Sequence, residues 1–324
     1  MDSITDQPPP AIGAELQAAR DALDRQIPAK ADANLLLATW NLRAFASLTR
    51  KWTAAADDSP KRDLRGLRAI IEIAQRYDVI ALQEVKGDLR ALRDMMRFLG
   101  EAWGFLMTDV TRGSAGNDER LAFLFDRRRV KPSGLAGEVV VPPEAIAGEE
   151  VDAALRRQFV RTPYAVSFVT ASGATFILLT AHIEFGDAAA DRIPELAGIA
   201  QWMAAWAAQT NRWHHNLLVL GDFNIDRRDS PLWQAFTSTG LTVPGALHSV
   251  PRTVFSDPAA ADTDKFYDQI AWFEGARHAL IDLTLEKAGG FDFLPFFYRD
   301  TNFSKTSISW RISDHYPLWV AFGL

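Results

Sequence analysis

The sequence contains no cysteine, which excludes disulfide bonds and thiolate metal sites. It has no apolar run of about 18 residues, so it predicts no membrane span. The N-terminus lacks the basic stretch and apolar core of a signal peptide, and a cytoplasmic protein is the default expectation. Excess positive charge is also missing. The formal net charge is -6, which argues against non-specific coating of nucleic acid but leaves a local basic cleft open.

The residues that are present favour one large folded unit. Of 324 residues, 48% are hydrophobic, which is enough for a sizeable core. Residues 1–33 are rich in proline, alanine and charge, and we interpret them as an N-terminal extension, a tail with a short helix over 14–26. Residues 34–324 alternate apolar strands with amphipathic helices and contain no repeat of fixed period. This pattern predicts a single domain with two sheets and flanking helices.

The most informative stretch is an apolar run at 217–220 that is followed by polar residues. Four consecutive apolar residues indicate a strand buried on both faces. Gly221 ends the run, and Asp222 and Asn224 follow at alternate positions. In an extended backbone these two side chains point the same way, so they can hold a water or a phosphate oxygen between an acceptor and a donor. A strand that ends in an Asx turn is the alternative.

Polar side chains recur wherever an apolar strand begins or ends. Strand ends on one edge of a layered α/β fold converge, and such edges carry functional sites. The sequence therefore predicts a shared site. Its members are Asn41, Glu84, Glu119, His182, Asp222, Asn224, Asp268, Asp314 and His315.

The chemistry of this set is that of phosphate-ester hydrolysis. Glu84, with Asn41 and Asp314, offers hard oxygen ligands to a small divalent cation, and Mg²⁺ suits such a set best, with Mn²⁺ and Ca²⁺ as alternatives. Each of the two histidines can be oriented by a carboxylate, which favours the imidazolium. Hydrolysis needs an activated water and donors or positive charge on the phosphate oxygens.

Three other segments allow less specific predictions. The aromatic stretch 291–297 is expected to be buried, and an exposed lid is the alternative. His214 and His215 face opposite ways on a strand and are interpreted as structural. Residues 132–158 indicate an excursion from the core.

At this point the sequence resembles a known family. The motifs WNLR (40–43), LQEV (82–85), ERLAFLF (119–125), GDFN (221–224), YDQI (267–270) and SDHYP (313–317) are similar to those of the endonuclease/exonuclease/phosphatase superfamily, and most similar to its deoxyribonuclease I branch. The resemblance covers about 34–324. It implies a four-layer α/β sandwich, with two mainly antiparallel sheets packed face to face and helices outside.

The resemblance also implies roles at the centre of the site. Glu84 corresponds to the metal carboxylate, with Asn41 beside it on the phosphate. Asp222 corresponds to the residue that orients or deprotonates the water, and Asn224 to the one that holds a phosphate oxygen. Whether Asp222 or His315 takes the proton stays open.

Each histidine has an acidic partner in the family pattern. Glu119 corresponds to the acid that pairs with His182. Asp268 corresponds to the acid that pairs with His315. The resemblance therefore implies two acid–histidine pairs.

Substrate contacts are less well matched. Arg43, Lys86 and Arg161 fall where deoxyribonuclease I has arginines on the DNA backbone. In the loop 112–118, however, Ser114 and Asn117 replace the arginine and tyrosine of the minor-groove contact. The chemistry is therefore expected to carry over, whereas the specificity for duplex DNA is not.

Three functions remain after these observations. The first is a metal-dependent phosphodiesterase, as an endonuclease on DNA, monomeric and without a stable protein partner. The second is a phosphoesterase for lipid headgroups or small phosphate esters, for which the 291–297 stretch would contact a membrane. The third is a binding module that kept the fold without catalysis, although no catalytic residue is missing.

Overall fold

The computed structural model describes residues 7–111, 116–139, 159–208, 216–257, 265–274 and 282–324. His214 and His215, Ser114, and the greater part of the 132–158 excursion lie outside these residues. Within them, no helix is long and apolar enough to cross a membrane.

Two six-stranded sheets form the body of the protein. The first contains, in spatial order, β11 (Thr284–Gly290), β12 (Leu318–Gly323), β1 (Asn34–Phe45), β2 (Val79–Lys86), β4 (Glu119–Asp126) and β3 (Trp103–Met107). The second contains β5 (Val130–Glu138), β6 (Tyr164–Thr170), β7 (Thr175–His182), β8 (Asn216–Asp222), β10 (Asp268–Phe273) and β9 (Leu241–Thr242). Each sheet has one parallel pair, β1 with β2 and β7 with β8, and is otherwise antiparallel.

The two sheets pack face to face, and β1 shows why its sequence is apolar without alternation. Leu35 and Leu37 lie in the core between the sheets. Leu36 and Ala38 point the other way, into a second core beneath the helices. Both faces of the strand are therefore covered, so both sets of alternating positions are apolar.

Helices cover the outer face of each sheet. The helices are α1 (Pro10–Gln26), α2 (Leu64–Ala74), α3 (Arg90–Leu99), α4 (Ile193–Ala208), α5 (Pro231–Thr237) and α6 (Lys305–Ser309), with short 3₁₀ turns at Ala189–Arg192 and Gly245–Leu247. Buried side chains of α1, α2 and α3 belong to the outer core of the first sheet. Buried side chains of α4 and α5 belong to the same core cluster as the residues between the sheets, and this cluster extends over the second sheet. The predicted four-layer α/β sandwich is confirmed.

The N-terminal extension is not a free tail over residues 10–26. Helix α1 begins with Pro10 at its first position, where a missing N–H costs nothing. Leu16 and Leu23 are buried in the outer core. Glu15 also accepts hydrogen bonds from the buried guanidinium of Arg65 on α2. The interpretation as a tail is therefore wrong for the helix, because its apolar face completes the layer over the first sheet.

Three further segments differ from or refine the sequence predictions. The start of the 132–158 excursion, over 132–138, belongs to β5. A strand not predicted from the sequence, β11, lies on the edge of the first sheet. The last strand begins at Leu318, later than predicted, because Pro317 has no N–H for a ladder. The aromatic stretch is buried at Phe291, Phe293 and Phe297, as expected.

Candidate active site

The strand registers bring the predicted polar residues to one edge of the sandwich. In the second sheet, Asp222 pairs with Asp268 on one side and with His182 on the other. In the first sheet, Lys86 pairs with Glu119. The carboxyl ends of β1, β2, β7 and β8 and the starts of β4, β10 and β12 therefore share this edge.

A close approach of two strands sets the position of Asp222. A Cβ atom on Gly221 would lie 2.1 Å from the carbonyl oxygen of Ala181 on β7, so only glycine allows β7 and β8 to pair here. Asp222 follows directly and is 2% exposed. Its Oδ1 accepts the backbone N–H of Asn224 at 3.0 Å.

Asn41 links the two sheets through its carboxamide. Its Nδ2 donates to Oδ2 of Asp222 and to Oε1 of Glu84, both at 3.0 Å. Its Oδ1 accepts the backbone N–H of Arg43 at 2.9 Å. One neutral side chain thus holds two carboxylates at a fixed spacing, which explains an amide at this position.

The first acid–histidine pair consists of His315 and Asp268. Nδ1 of His315 lies 2.7 Å from Oδ2 of Asp268, and its Nε2 lies 3.8 Å from Oδ2 of Asp222. Burial raises the pKa of Asp268 to about 6, against the opposing charge of His315. Burial lowers the pKa of His315, but the carboxylates of Asp268 and Asp222 outweigh it and raise this pKa well above its usual value. At neutral pH the pair is a carboxylate and an imidazolium.

The second pair consists of His182 and Glu119. Nδ1 of His182 lies 2.9 Å from Oε2 of Glu119, and its Nε2 lies 3.7 Å from Oδ2 of Asp222. Both histidines therefore aim their Nε2 atoms at the same carboxylate oxygen. Burial works to raise the pKa of Asp222, but the charges of His315 and His182 prevail and lower it.

Two of the predicted substrate-binding cations lie around Glu119. Nε of Arg161 is 2.7 Å from its Oε2, and Nζ of Lys86 is 2.9 Å from its Oε1. The side-chain amide of Asn117 also donates to Oε1. Although burial works to raise the pKa of Glu119, these cations and His182 lower it to about 2. Lys86 and Arg161 thus fix the anionic partner of a histidine.

The third predicted cation, Arg43, lies on the opposite side of the site. Its Nη1 is 3.2 Å from Oδ2 of Asp314 and donates to Oγ of Ser309 at 2.5 Å. Its guanidinium stacks on Trp310, 3.9 Å from the ring centroid. Arg43 and Ala44 both have left-handed backbones, with φ of 41° and 49°, and β1 bulges here between Asn41 and Phe45 before it pairs with β2 again.

Asn224 reaches the site by a different route from the one predicted. Its φ is +49°, and β8 has already ended at Asp222. Its Nδ2 donates to the carbonyl oxygen of Ile183 at 2.7 Å. The expectation that Asp222 and Asn224 project together along an extended strand is wrong, because the turn at Asn224 breaks the alternation. The amide is nevertheless buried beside β7 and next to Asp222.

Glu84 and Asn41 are joined by a hydrogen bond and offer oxygen ligands to a divalent cation, whereas the third predicted ligand, Asp314, is paired with Arg43. Glu84 has a left-handed backbone, with φ of 60°, at the bulge of β2, and its Oε2 accepts the N–H of Ala44 at 2.7 Å. Such strain persists only where its surroundings enforce it. Each Glu84 oxygen accepts a single hydrogen bond here, so lone pairs remain for an ion. The donor set consists only of oxygen, which fits Mg²⁺.

A second group also has a spacing that could hold a metal ion. Ligand atoms of Asp222, Asp268 and His315 lie within 4.8 Å of one another. Within this group, Nδ1 of His315 and Oδ2 of Asp268 contact each other at 2.7 Å.

Three residues to which the sequence analysis gave no role support the site, namely the buried Arg62 and Arg252 and the partly exposed Tyr267. Arg62 donates to the carbonyl oxygens of Leu42 at 2.6 Å and Ile312 at 3.0 Å, and so ties together the segments that carry Asn41 and Asp314. Burial lowers its pKa to about 10, against the charges of Glu84 and Asp314, so both carboxylates lie near this guanidinium.

The other two supporting residues, Arg252 and Tyr267, contact Asp268 and His315. Nε of Arg252 donates to the carbonyl oxygen of Asp268 at 3.0 Å. The ring of Tyr267 lies 5.6 Å from the ring of His315, and burial raises the pKa of Tyr267 to about 12, so its hydroxyl stays protonated. No motif spacing indicates Arg62 or Arg252, because their contacts go to backbone carbonyls that only the fold brings near.

Solved structures with the same fold come from several sources. One is an endonuclease/exonuclease/phosphatase family protein from Bacteroides thetaiotaomicron, with a TM-score of 0.55 and 16% identity over 89% of this chain and 97% of that one. Another is a functionally unknown conserved protein from Enterococcus faecalis V583, with a TM-score of 0.54 and 16% identity over 90% of this chain and 100% of that one. ANGEL2, a 2′,3′-cyclic phosphatase, has a TM-score of 0.52 and 12% identity over 89% of this chain and 95% of that one.

At these identities the likeness concerns the fold alone. No curated protein matches the sequence. Residues 38–315, however, match the Endonuclease/Exonuclease/phosphatase family, whose members hydrolyse phosphoester bonds with the help of a divalent metal ion. This match spans both sheets and both acid–histidine pairs. The chain belongs to the endonuclease/exonuclease/phosphatase family.

Proposed function

We propose that this chain is a Mg²⁺-dependent phosphodiesterase that cuts DNA as a deoxyribonuclease I-like endonuclease. The observation that carries the proposal is the convergence of two acid–histidine pairs on Asp222. Nε2 of His182 and of His315 lie 3.7 Å and 3.8 Å from the same oxygen. Two imidazoles and one carboxylate that converge this closely form a single polar surface, against which a phosphate and its attacking water can be held.

Glu84, Asn41 and Asp314 are the residues that would hold the cation. When bound, a divalent ion neutralises charge that develops on the phosphate oxygens. The Arg43–Asp314 ion pair is partly exposed and therefore weak, so Asp314 can exchange it for a cation. Mn²⁺ and Ca²⁺ share the preference for oxygen ligands and are the alternatives to Mg²⁺.

The protonation states favour distinct roles for the acids and the histidines. His315 is an imidazolium, so in this account it donates a hydrogen bond to a phosphate oxygen and does not accept the proton of the water. His182, held by Glu119, faces the same oxygen of Asp222 through its Nε2. Asp222 is anionic, and it orients the attacking water and accepts its proton. Asn224 supplies an amide to a phosphate oxygen.

The aromatic stretch bears on the choice between DNA and lipid. Phe291, Phe293 and Phe297 are each at most 1% exposed. These three rings therefore offer no surface to a membrane, which weakens the support for a lipid substrate. This observation favours the nuclease.

Small phosphate esters are the second candidate, because of one specific observation. Arg43, Lys86 and Arg161 each form an ion pair with a carboxylate at the site. Paired cations attract a polyanion less strongly than free ones, and the net charge of the chain is -6. A small ester needs no such attraction.

Cleavage of a substrate panel over a range of salt concentrations tests the proposal. We expect nicking of supercoiled plasmid with Mg²⁺, and DNA binding whose log–log salt slope falls by about one unit when Arg43 is replaced by alanine, because each phosphate contact contributes about that much. Phosphatidylcholine and 4-nitrophenyl phosphate serve as lipid and small-ester arms. Rapid turnover of either one, without nicking at low salt, would contradict the nuclease assignment.

A further inference from the structure

Exposed aromatic side chains gather around the candidate active site. Among the described residues, large hydrophobic side chains that are exposed comprise Phe105, Leu135, Phe185, Phe255, Trp310 and Leu324. The three most exposed are Phe185 at 55%, and Phe255 and Trp310 at 48% each. All three flank the site. Exposed apolar rings that surround a polar centre indicate recognition of a ligand rather than packing.

Trp310 has the most direct connection. The guanidinium of Arg43 covers part of its ring at 3.9 Å and also contacts Asp314 at 3.2 Å. A single side chain therefore separates the ring from the carboxylate beside His315. Ser309, which precedes Trp310, fixes the same guanidinium through its hydroxyl. The ring is thus held at a set position next to the site, with about half of its surface open.

The other two rings lie on different sides. Phe185 follows His182 by three residues and stacks with Arg192 at 4.2 Å, and Nη1 of Arg192 donates to the carbonyl oxygen of Asn224. Phe255 follows Thr253, which pairs with His315 in an isolated bridge. We call these three residues, Phe185, Phe255 and Trp310, the aromatic rim.

The contacts of the rim favour nucleobases over lipid. Two of its rings each carry a guanidinium on one face, and insertion of these rings into a membrane would place a cation beside apolar lipid chains. Rings backed by arginine are instead typical of sites where bases stack, since every base has a π-face and the cation strengthens the stack. A base inside a duplex has both faces covered, so an open ring selects unpaired bases.

We propose that Trp310 is a stacking platform for an unpaired base next to the scissile phosphodiester, and that it makes single-stranded nucleic acid the preferred substrate. This inference rests on the proposed nuclease function. Arg43 has two roles in it. It holds one face of the Trp310 ring, and it lies between that ring and the phosphate.

The test compares a single-stranded thymidine oligomer with an oligomer of equal length in which abasic residues replace every nucleotide. For the thymidine oligomer, we expect Trp310→Ala to raise KM about tenfold, in keeping with the loss of one base stack. For the abasic oligomer, Trp310→Ala should leave KM unchanged, because this oligomer has no base that could stack on the ring. Trp310→Phe should restore most of the difference. Phe105→Ala is the matched control, since Phe105 is an exposed aromatic at mid-strand on the edge strand β3.

Three results would overturn the inference, and each of them has a different meaning. Equal KM values for Trp310→Ala and the wild type on the thymidine oligomer, with normal thermal unfolding, would show that no base stacks there. Loss of binding to phosphatidylcholine vesicles, with the oligomer KM unchanged, would make the rim a membrane contact. Failure of the wild-type protein to cut any oligomer would remove the nuclease function itself, and the inference with it.

Discussion

At the scale of single residues, Asp222 is the acceptor that unites the site. Its Oδ2 receives the amide of Asn41 and faces both imidazoles, while its Oδ1 receives the backbone N–H of Asn224. A buried carboxylate without such partners would be protonated. Its neighbours therefore keep it ionised, and an ionised Asp222 is the form that can orient and deprotonate a water.

His315 and Asp268 are expected to act as one unit. His315→Ala and Asp268→Asn should each lower kcat by about 100-fold or more, and the double variant little beyond the worse single variant, because the acid has no role without its histidine. Steady-state kinetics of the four proteins in this cycle measures the coupling. The same cycle applies to His182 and Glu119.

His248→Ala is the matched control for this cycle. His248 is a histidine outside the site that packs against Trp233, so its removal should leave kcat near the wild-type value. Fully multiplicative losses in the His315–Asp268 cycle would show that the two residues contribute independently and would contradict the pairing.

The pairings were predictable at this scale, whereas some supporting contacts were not. The resemblance to the family indicated Glu119 with His182 and Asp268 with His315, and the two acid–histidine distances are 2.9 Å and 2.7 Å. The left-handed backbone at Asn224 agrees with the alternative of an Asx turn, in which Oδ1 of Asp222 accepts the N–H of Asn224, and not with the extended strand. The role of Arg62 was not predictable from the sequence, because its partners are carbonyl oxygens of two distant segments and every residue type has a carbonyl oxygen.

At the scale of elements, α1 closes the outer layer of the first sheet. Leu16 is 1% exposed and Leu23 is fully buried. Arg20 reaches the buried Glu72 of α2. Helical spacing alone predicted a helix close to these bounds. It did not predict the docking, because a short helix with a modest apolar face and a proline-rich approach also fits a free tail.

Removal of one core side chain of α1 measures this docking. Leu16→Ala should lower the free energy of unfolding by about 2–5 kcal/mol, the usual cost of such a truncation in a packed core. Gln17→Ala, on the exposed face of the same helix, should change it by less than about 0.5 kcal/mol. Urea denaturation of both variants gives the comparison. If Leu16→Ala and Gln17→Ala had the same free energy of unfolding, α1 would not be packed on the first sheet in solution.

At the scale of the whole molecule, the two sheets act as a frame that fixes distances between residues far apart in sequence. Asn41 on the first sheet and Asp222 on the second meet through one hydrogen bond. Because β1 and β8 are buried on both faces, neither strand can shift without exposing apolar side chains. The alternation of strands and helices, together with the six motifs, was sufficient to predict this architecture.

Substrate choice depends on features at the same scale that motifs do not record. The three predicted substrate cations are engaged by acids, and three rings of the aromatic stretch 291–297 are buried. Both facts depend on tertiary contacts. We therefore expect substrate choice to depend on the aromatic rim, whose residues lie far apart in the sequence, at 185, 255 and 310.

We expect hydrolysis to depend on a divalent cation that Glu84 helps to hold. The most direct measurement is the Mg²⁺ dependence of the initial rate of plasmid nicking for the wild type, Glu84→Gln and the exposed control Glu101→Gln. We expect EDTA to abolish the wild-type rate and added Mg²⁺ to restore it. Glu84→Gln should need about tenfold more Mg²⁺ for half of its maximal rate, and Glu101→Gln should match the wild type. Full activity in EDTA, or an unchanged Mg²⁺ curve for Glu84→Gln, would contradict the account.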